Sequence, residues 1–169
     1  MKKLNVFLLI VFIFSTVLTA AEKSDKKKNN KKESSEQYLL DLDASKDEAT
    51  ILKAIDFVGS KKKSKALPKL MNLLGDQRDQ IRLNVCATLG LLENKKAIPT
   101  LNKIVLEDSS SDVRYSALLA IVRIGVDDSV RTLEKLKNQE TDPIIKDFLA
   151  KLEGKSKGKK GKKKDKKKK

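Results

Sequence analysis

The chain has 169 residues, room for one domain with appendages and a modest core. Its net charge of +15 is unevenly spread: Lys2 and Lys3 supply +2, residues 22–36 supply +2 and residues 155–169 supply +10, which leaves +1 for residues 37–154. No histidine occurs, which removes the commonest general base and metal ligand, and the single cysteine excludes an internal disulfide or a CxxC pair.

Lys2 and Lys3 are followed by an uninterrupted apolar run from Val6 to Phe14 and then by the small residues Thr19, Ala20 and Ala21. That is the order of a secretory signal: basic region, apolar region, cleavage site. The run is shorter than the ~20 residues a spanning helix needs. Residues 1–21 are therefore expected to be a signal peptide cut after Ala20 or Ala21, with an uncleaved anchor as the competing reading. Cys86, the only cysteine, lies far from this site, so a lipid-modified N-terminal cysteine is excluded. The expected location is periplasmic or secreted.

Residues 22–36, "EKSDKKKNNKKESSE", hold no aliphatic or aromatic side chain, so they bury too little to offset chain entropy and read as a disordered linker. The segment "QYLLDLDASKDE" from Gln37 reads as a degenerate helix, with a second helix over residues 46–59.

From Ala66 the chain repeats itself. "ALPKLMNLL" from Ala66 returns as "AIPTLNKIV" from Ala97 and as "SVRTLEKLK" from Ser129. Ile81 and Arg82 return as Val113 and Arg114, then as Ile145 and Lys146. A period of 31 to 32 residues over about three and a half copies is the signature of stacked supersecondary units. In the first helix of a unit, Ile98, Leu101, Ile104 and Val105 recur at spacings of three and four, and Pro68 and Pro99 stand near the start, where a missing N–H costs nothing. The second helix is expected to open after Asp79, after Ser110 or Ser111, and after Asp142. Its apolar set is Ile81, Val85, Cys86 and Leu89 in one copy and Val113, Ala117, Leu118 and Ile121 in the next. Helix pairs this short cannot bury their own apolar stripes and must stack. The fold class is all-α, a short α-solenoid of stacked antiparallel helix pairs over residues 37–154.

An aliphatic residue and Arg opening the second helix, small and apolar positions after them, then Leu-Gly or Ile-Gly and Ala-Ile-Pro, resemble a HEAT repeat. The short unit is most similar to the HEAT-like class found in phycobilin lyases, over residues 47–154. The resemblance implies a fold and no activity; nothing here matches a bilin site, and that activity is not carried over. The shorter, more charged last copy suits a capping repeat. From the family, too, comes the expectation that second helices line the concave face.

Cys86 aligns with Ile55, Leu118 and Ala150, which makes it a small core residue. Arg82 and Arg114 are read as structural, each pairing with an acid of a neighbouring unit, with Asp76, Asp79, Glu107 and Asp112 in sequence reach. The spacing of Asp108, Asp112, Asp127 and Asp128 lacks the glycine and terminal glutamate of a calcium loop, so they read as cap and turn residues. No nucleophile elbow or phosphate-cradling loop occurs; no enzyme, metal or cofactor is expected. The positions left polar on the second helices are Lys53, Asn84, Thr88, Ser116 and Arg123, the candidates for partner binding.

The tail from Lys155 is built almost wholly of Lys and Gly and reads as disordered. It lacks Arg for bidentate phosphate contact and aromatics for base stacking. Lys159, Lys160, Lys162, Lys163, Lys164, Lys166, Lys167, Lys168 and Lys169 would meet an anionic surface. Two functions follow. One is an exported scaffold that docks a protein or peptide on the concave face. The other is a polycationic binder of anionic envelope polymer, lipid or nucleic acid through the tail, with nucleic acid disfavoured if the chain is exported.

Overall fold

A computed structural model describes the backbone of residues 36–165 and the side chains through residue 154. The expected signal peptide, the linker up to residue 35 and the side chains of the Lys-rich tail lie outside the described residues. The chain divides into two compact units, Met1–Leu40 and Asp41–Lys169. Residues 36–41 are helical.

Among the described residues the second unit holds seven α-helices: α1 (Glu48–Ser60), α2 (Leu67–Leu73), α3 (Asp79–Leu92), α4 (Ile98–Glu107), α5 (Ser111–Ile124), α6 (Val130–Gln139) and α7 (Pro143–Asp165). No strand occurs among the described residues. Each first helix, α2, α4 or α6, is preceded by a 3-10 turn, and α2 and α4 carry proline in their first turn, as the sequence predicts. Asp47 caps α1, its side chain accepting from Thr50 N, and Ser110 caps α5 by accepting from Val113 N. Asp142 does the same for α7, accepting from Ile144 N and Ile145 N. Asp79 departs from the expectation. It is the first helical residue of α3 rather than its cap, and its carboxylate turns to Arg82 at 2.8 Å.

The second helices α1, α3 and α5 stack on one another in chain order, and α2 and α4 pack on the second helices of their own units. The ring of Phe148 on α7 meets that of Tyr115 on α5 edge to face, with centroids 5.7 Å apart. The core is the predicted repeat set: Ile51 and Ile55, then Ile81, Val85, Cys86 and Leu89, then Val113, Ala117, Leu118 and Ile121, all fully or nearly fully buried, with Leu70, Leu101, Val105 and Leu136 from the first helices. Burying each large aliphatic side chain is worth about 1.5–3 kcal/mol.

Gly90 sets how closely α3 and α5 approach, and Gly59 leaves room for side chains of α3. A Cβ on Gly90 of α3 would stand 3.0 Å from the Cα of Ala120 on α5. One on Gly59 of α1 would stand 3.2 Å from Leu91 Cδ1 and 3.3 Å from Thr88 Oγ1 of α3. Gly90 lets α3 and α5 cross nearly backbone to backbone, whereas at Gly59 the side chains of Leu91 and Thr88 fill the space.

The last helix runs past Gly154, the boundary expected from composition, to Asp165.

Candidate functional site

Two surfaces of the solenoid carry polar or exposed groups in a repeated pattern: the turns that join first to second helices, and the outward side of the second helices.

At the turns, Asp76, Asp108 and Glu140 are equivalent positions of successive units. Each accepts a backbone N–H two residues on, from Arg78, Ser110 and Asp142, and each also takes a guanidinium. Arg82 forks onto Asp108, with Nε at 2.8 Å from Oδ2 and Nη2 at 3.0 Å from Oδ1. Its Nη1 donates to the carbonyls of Asp76 and Gln77, and Nη2 donates also to Asp79. All five donors of the guanidinium are thus used inside the fold. Arg114 repeats the arrangement one unit later: Nε and Nη2 fork onto Glu140 at 2.9 and 2.8 Å, and Nη1 donates to the carbonyls of Asp108 and Ser109. In the earliest unit Arg78 takes over, pairing with Asp76 and reaching back to the carbonyls of Ala44 and Lys46. The series ends at Lys146, which is exposed.

The electrostatics follow the geometry. Arg82 hydrogen-bonded to Asp108 is held charged well above the ordinary guanidinium range. Burial pushes the Asp108 carboxyl up, but bonds from Arg82 and Ser110 N–H outweigh it and leave the group below its usual value. The fork from Arg114 lowers Glu140 to about 2. The guanidinium groups of Arg82 and Arg114 both bond to groups within the fold. Their partners differ from those in easy sequence reach: Arg82 takes Asp108 besides Asp79, and Arg114 takes Glu140, while Glu107 and Asp112 are bypassed. An open cleft of about 440 Å³ lies over Arg82 between the α2–α3 turn and α4, floored by groups already engaged with one another. Cys86 is buried and burial pushes its thiol up to about 12, so it carries no thiolate at neutral pH.

The outward side of the second helices is different. Of the five sequence candidates, Lys53 and Arg123 are exposed and Asn84 is half-buried, its Nδ2 donating to Gln80 O of its own helix. Arg123 Nε sits 3.3 Å from Glu93 in a solvent-exposed pair. Thr88 and Ser116 are buried, which corrects their assignment to a binding surface. Thr88 fills the space above Gly59, and Ser116 Oγ donates to Leu83 O across the α3–α5 crossing at 3.0 Å. Their polar atoms serve helix packing, which a hydropathy reading of single positions does not distinguish from exposure.

The second helices also carry apolar side chains off their buried stripes. Leu83 and Ala87 of α3 and their equivalents Tyr115 and Leu119 of α5, 32 residues later, face outward. Leu119 keeps 40% of its area exposed, and Ile144 of α7, one turn before Phe148, keeps 64%. The serine bond to Leu83 O and the Tyr115–Phe148 ring contact tie α3, α5 and α7 together at this level. The signal was present in the sequence: Leu83, Tyr115 and Leu119 fall off the buried stripe of their helices, yet they are large and apolar.

Stacked helix pairs, a repeated guanidinium–carboxylate staple and a continuous second-helix face define a helical-repeat protein. The family model for HEAT repeats matches residues 35–118 and 67–151. This chain belongs to the HEAT-repeat family. No curated protein sequence matches it. HEAT repeats generally mediate protein–protein interaction, and their solenoid is typically non-catalytic.

Proposed function

We propose that this protein is an exported, non-catalytic scaffold that binds a protein or peptide segment across the outward face of its second helices. The observation that carries the reading is the exposure of Leu119 on α5 and Ile144 on α7, two helices joined by the Tyr115–Phe148 ring contact. Large apolar side chains left half in water on rigid helices are the usual material of a binding hot spot. Lys53 and Arg123 are exposed and Asn84 is half-buried on the second helices, where polar groups can orient a partner. The charged groups at the turns are spent on one another, which favours binding over catalysis. Export is supported by the order of basic, apolar and small residues within residues 1–21.

Tagged full-length protein purified from its source tests the reading. A protein should co-purify with the wild type and with Glu134→Lys, a change on the exposed side of α6, and be lost with Leu119→Asp. Retention of the same proteins by Leu119→Asp would remove this face from the account. A second reading is favoured by the +10 charge of residues 155–169: a polycation that holds envelope polymer, lipid or nucleic acid. Binding of that kind collapses as salt rises and is indifferent to Leu119.

A further inference from the structure

At the other end of the second helices from the Arg82 and Arg114 staples, short turns lead into the next first helix. Gly59 near the end of α1 abuts Leu91 near the end of α3, and Gly90 abuts Ala120 of α5, so the three helix ends stand side by side. Packed helices lie about 8–10 Å apart, which sets the spacing of the turns. Lys62, Glu93 and Gly125 hold equivalent positions in them, each with positive φ. The charge changes sign along this edge. The first turn carries Lys61, Lys62 and Lys63 and the second carries Lys95 and Lys96, all exposed except the half-buried Lys63. The third carries Asp127 and Asp128, exposed at the positions of Lys95 and Lys96. The same 3-10 turn is built with either sign, so the repeat itself does not demand lysine there. Among the described residues none of these five lysines forms an ion pair. The carboxylates carried by the ends of α1 and α3 are Asp56 and Glu93, and Glu93 pairs with Arg123. Residues 37–154 sum to only +1, so this edge is a local field of one sign on a balanced body.

We propose that the first two of these turns form a docking surface for an anionic phospholipid membrane. This goes beyond the scaffold reading and does not depend on it. The five cations are all lysine, point charges on flexible stems without the planar fork that reads one phosphate in a fixed geometry. They stand on the tips of turns, which meet a flat surface but enclose no small ligand. Phe57 lies one turn before Lys61 on the same face of α1 and keeps 36% of its area exposed, an apolar ring for the boundary between headgroups and acyl chains. Clusters of about four to eight basic residues hold proteins to anionic leaflets, each worth about five-fold in affinity near the surface. Asp127 and Asp128 are repelled by the same leaflet, so the stack docks tilted, with the ends of α1 and α3 down and the end of α5 raised.

Co-sedimentation of full-length protein with vesicles tests the proposal. The probes are vesicles of phosphatidylcholine with phosphatidylglycerol at about 2:1, and vesicles of phosphatidylcholine alone, at about 0.15 M salt. The wild type should partition onto the anionic vesicles only. Lys61→Gln, Lys62→Gln, Lys95→Gln and Lys96→Gln together should lower that partition about ten-fold or more with no change in melting temperature. The control set Lys46→Gln, Lys103→Gln, Lys135→Gln and Lys146→Gln removes the same charge from exposed positions away from this edge and should lower it no more than about two-fold. Both sets leave the chain beyond residue 154 unchanged. Asp127→Lys with Asp128→Lys extends the cationic row to the third turn and should raise the partition about ten-fold. Equal losses from the two lysine sets, no loss from the edge set, no gain from the aspartate pair, or no binding of the wild type to anionic vesicles would each overturn the inference. Double-stranded DNA represents the competing class of polyanion. If the edge set loses DNA by as large a factor as it loses vesicles, the edge is a general polyanion site and the membrane assignment falls.

Discussion

Gly90→Ala is the sharpest perturbation of the helix stack. In a solvated helix the change would stabilise by about 1 kcal/mol, because alanine loses less backbone entropy than glycine. Here the new methyl would stand 3.0 Å from Ala120 Cα and 3.2 Å from Ala120 Cβ, where carbon atoms prefer about 3.5–4.0 Å. The closest atom is backbone, so no rotamer change relieves the contact; α3 and α5 must move apart by about half an ångström. Overpacking of that kind costs about 1–3 kcal/mol, and the net is a destabilisation of about 1 kcal/mol, or a fall in melting temperature of about 4 °C. Gly59→Ala is the control. Its Cβ would meet the ends of the Leu91 and Thr88 side chains at 3.2 and 3.3 Å, which can turn aside, so the propensity gain should leave it at least as stable as the wild type. Adding Ala120→Gly to Gly90→Ala should restore only part of the loss, since it removes the methyl at 3.2 Å and leaves the Cα at 3.0 Å. Urea unfolding followed by circular dichroism at 222 nm measures all three. A Gly90→Ala variant as stable as Gly59→Ala would refute the close crossing of α3 and α5.

Glu140→Ala should cost about 3 kcal/mol, because it strands a largely buried Arg114 and frees the N–H groups of Thr141 and Asp142, whereas Glu153→Ala, whose partner Lys137 is half exposed, should cost less than 1 kcal/mol; denaturation midpoints compare them. The fork from Arg114 holds Glu140 down at about 2, below the ordinary 4.5 of a glutamate, so its stabilisation is present above pH 4.5 and is lost as pH falls toward 2. That loss is on the order of 2 kcal/mol after solvent screening, and Glu140→Gln should flatten this part of the stability profile. Gly125 has φ +132°, so Gly125→Ala should destabilise by about 1 kcal/mol although open space surrounds the new methyl, a backbone effect that thermal melts can register. Cys86 should fail to react with a thiol reagent at pH 8 in native protein and react fully in denaturant, as burial demands.

The fold was legible because the repeat states it several times over. Aligning Ile81–Arg82 with Val113–Arg114 fixed the second helices and their buried set, and Pro68 and Pro99 fixed the starts of the first helices. The staple was legible only by half. Arg82 and Arg114 stood out, but their partners lie 26 residues on, at Asp108 and Glu140, and a separation that wide becomes a contact only once the units stack. The binding face was the least legible part. Polarity picked Thr88 and Ser116, which small neighbours such as Gly59 draw into the helix crossings, and it passed over Leu119 and Ile144, whose apolar character resembles core until their place on the helix is known. A single sequence gives the period of burial. Which off-stripe residues meet a neighbouring helix depends on the distance between helices, and glycine and alanine set that distance through contacts far apart in the chain.

The most direct test of the central claim is a photo-reactive phenylalanine analogue placed at position 119 in the full-length protein and activated in the living source cell. The account predicts a covalent adduct to another protein from position 119, and none when the same group is placed at position 134 on α6. Adducts that form equally from both positions, or only from position 134, would contradict it.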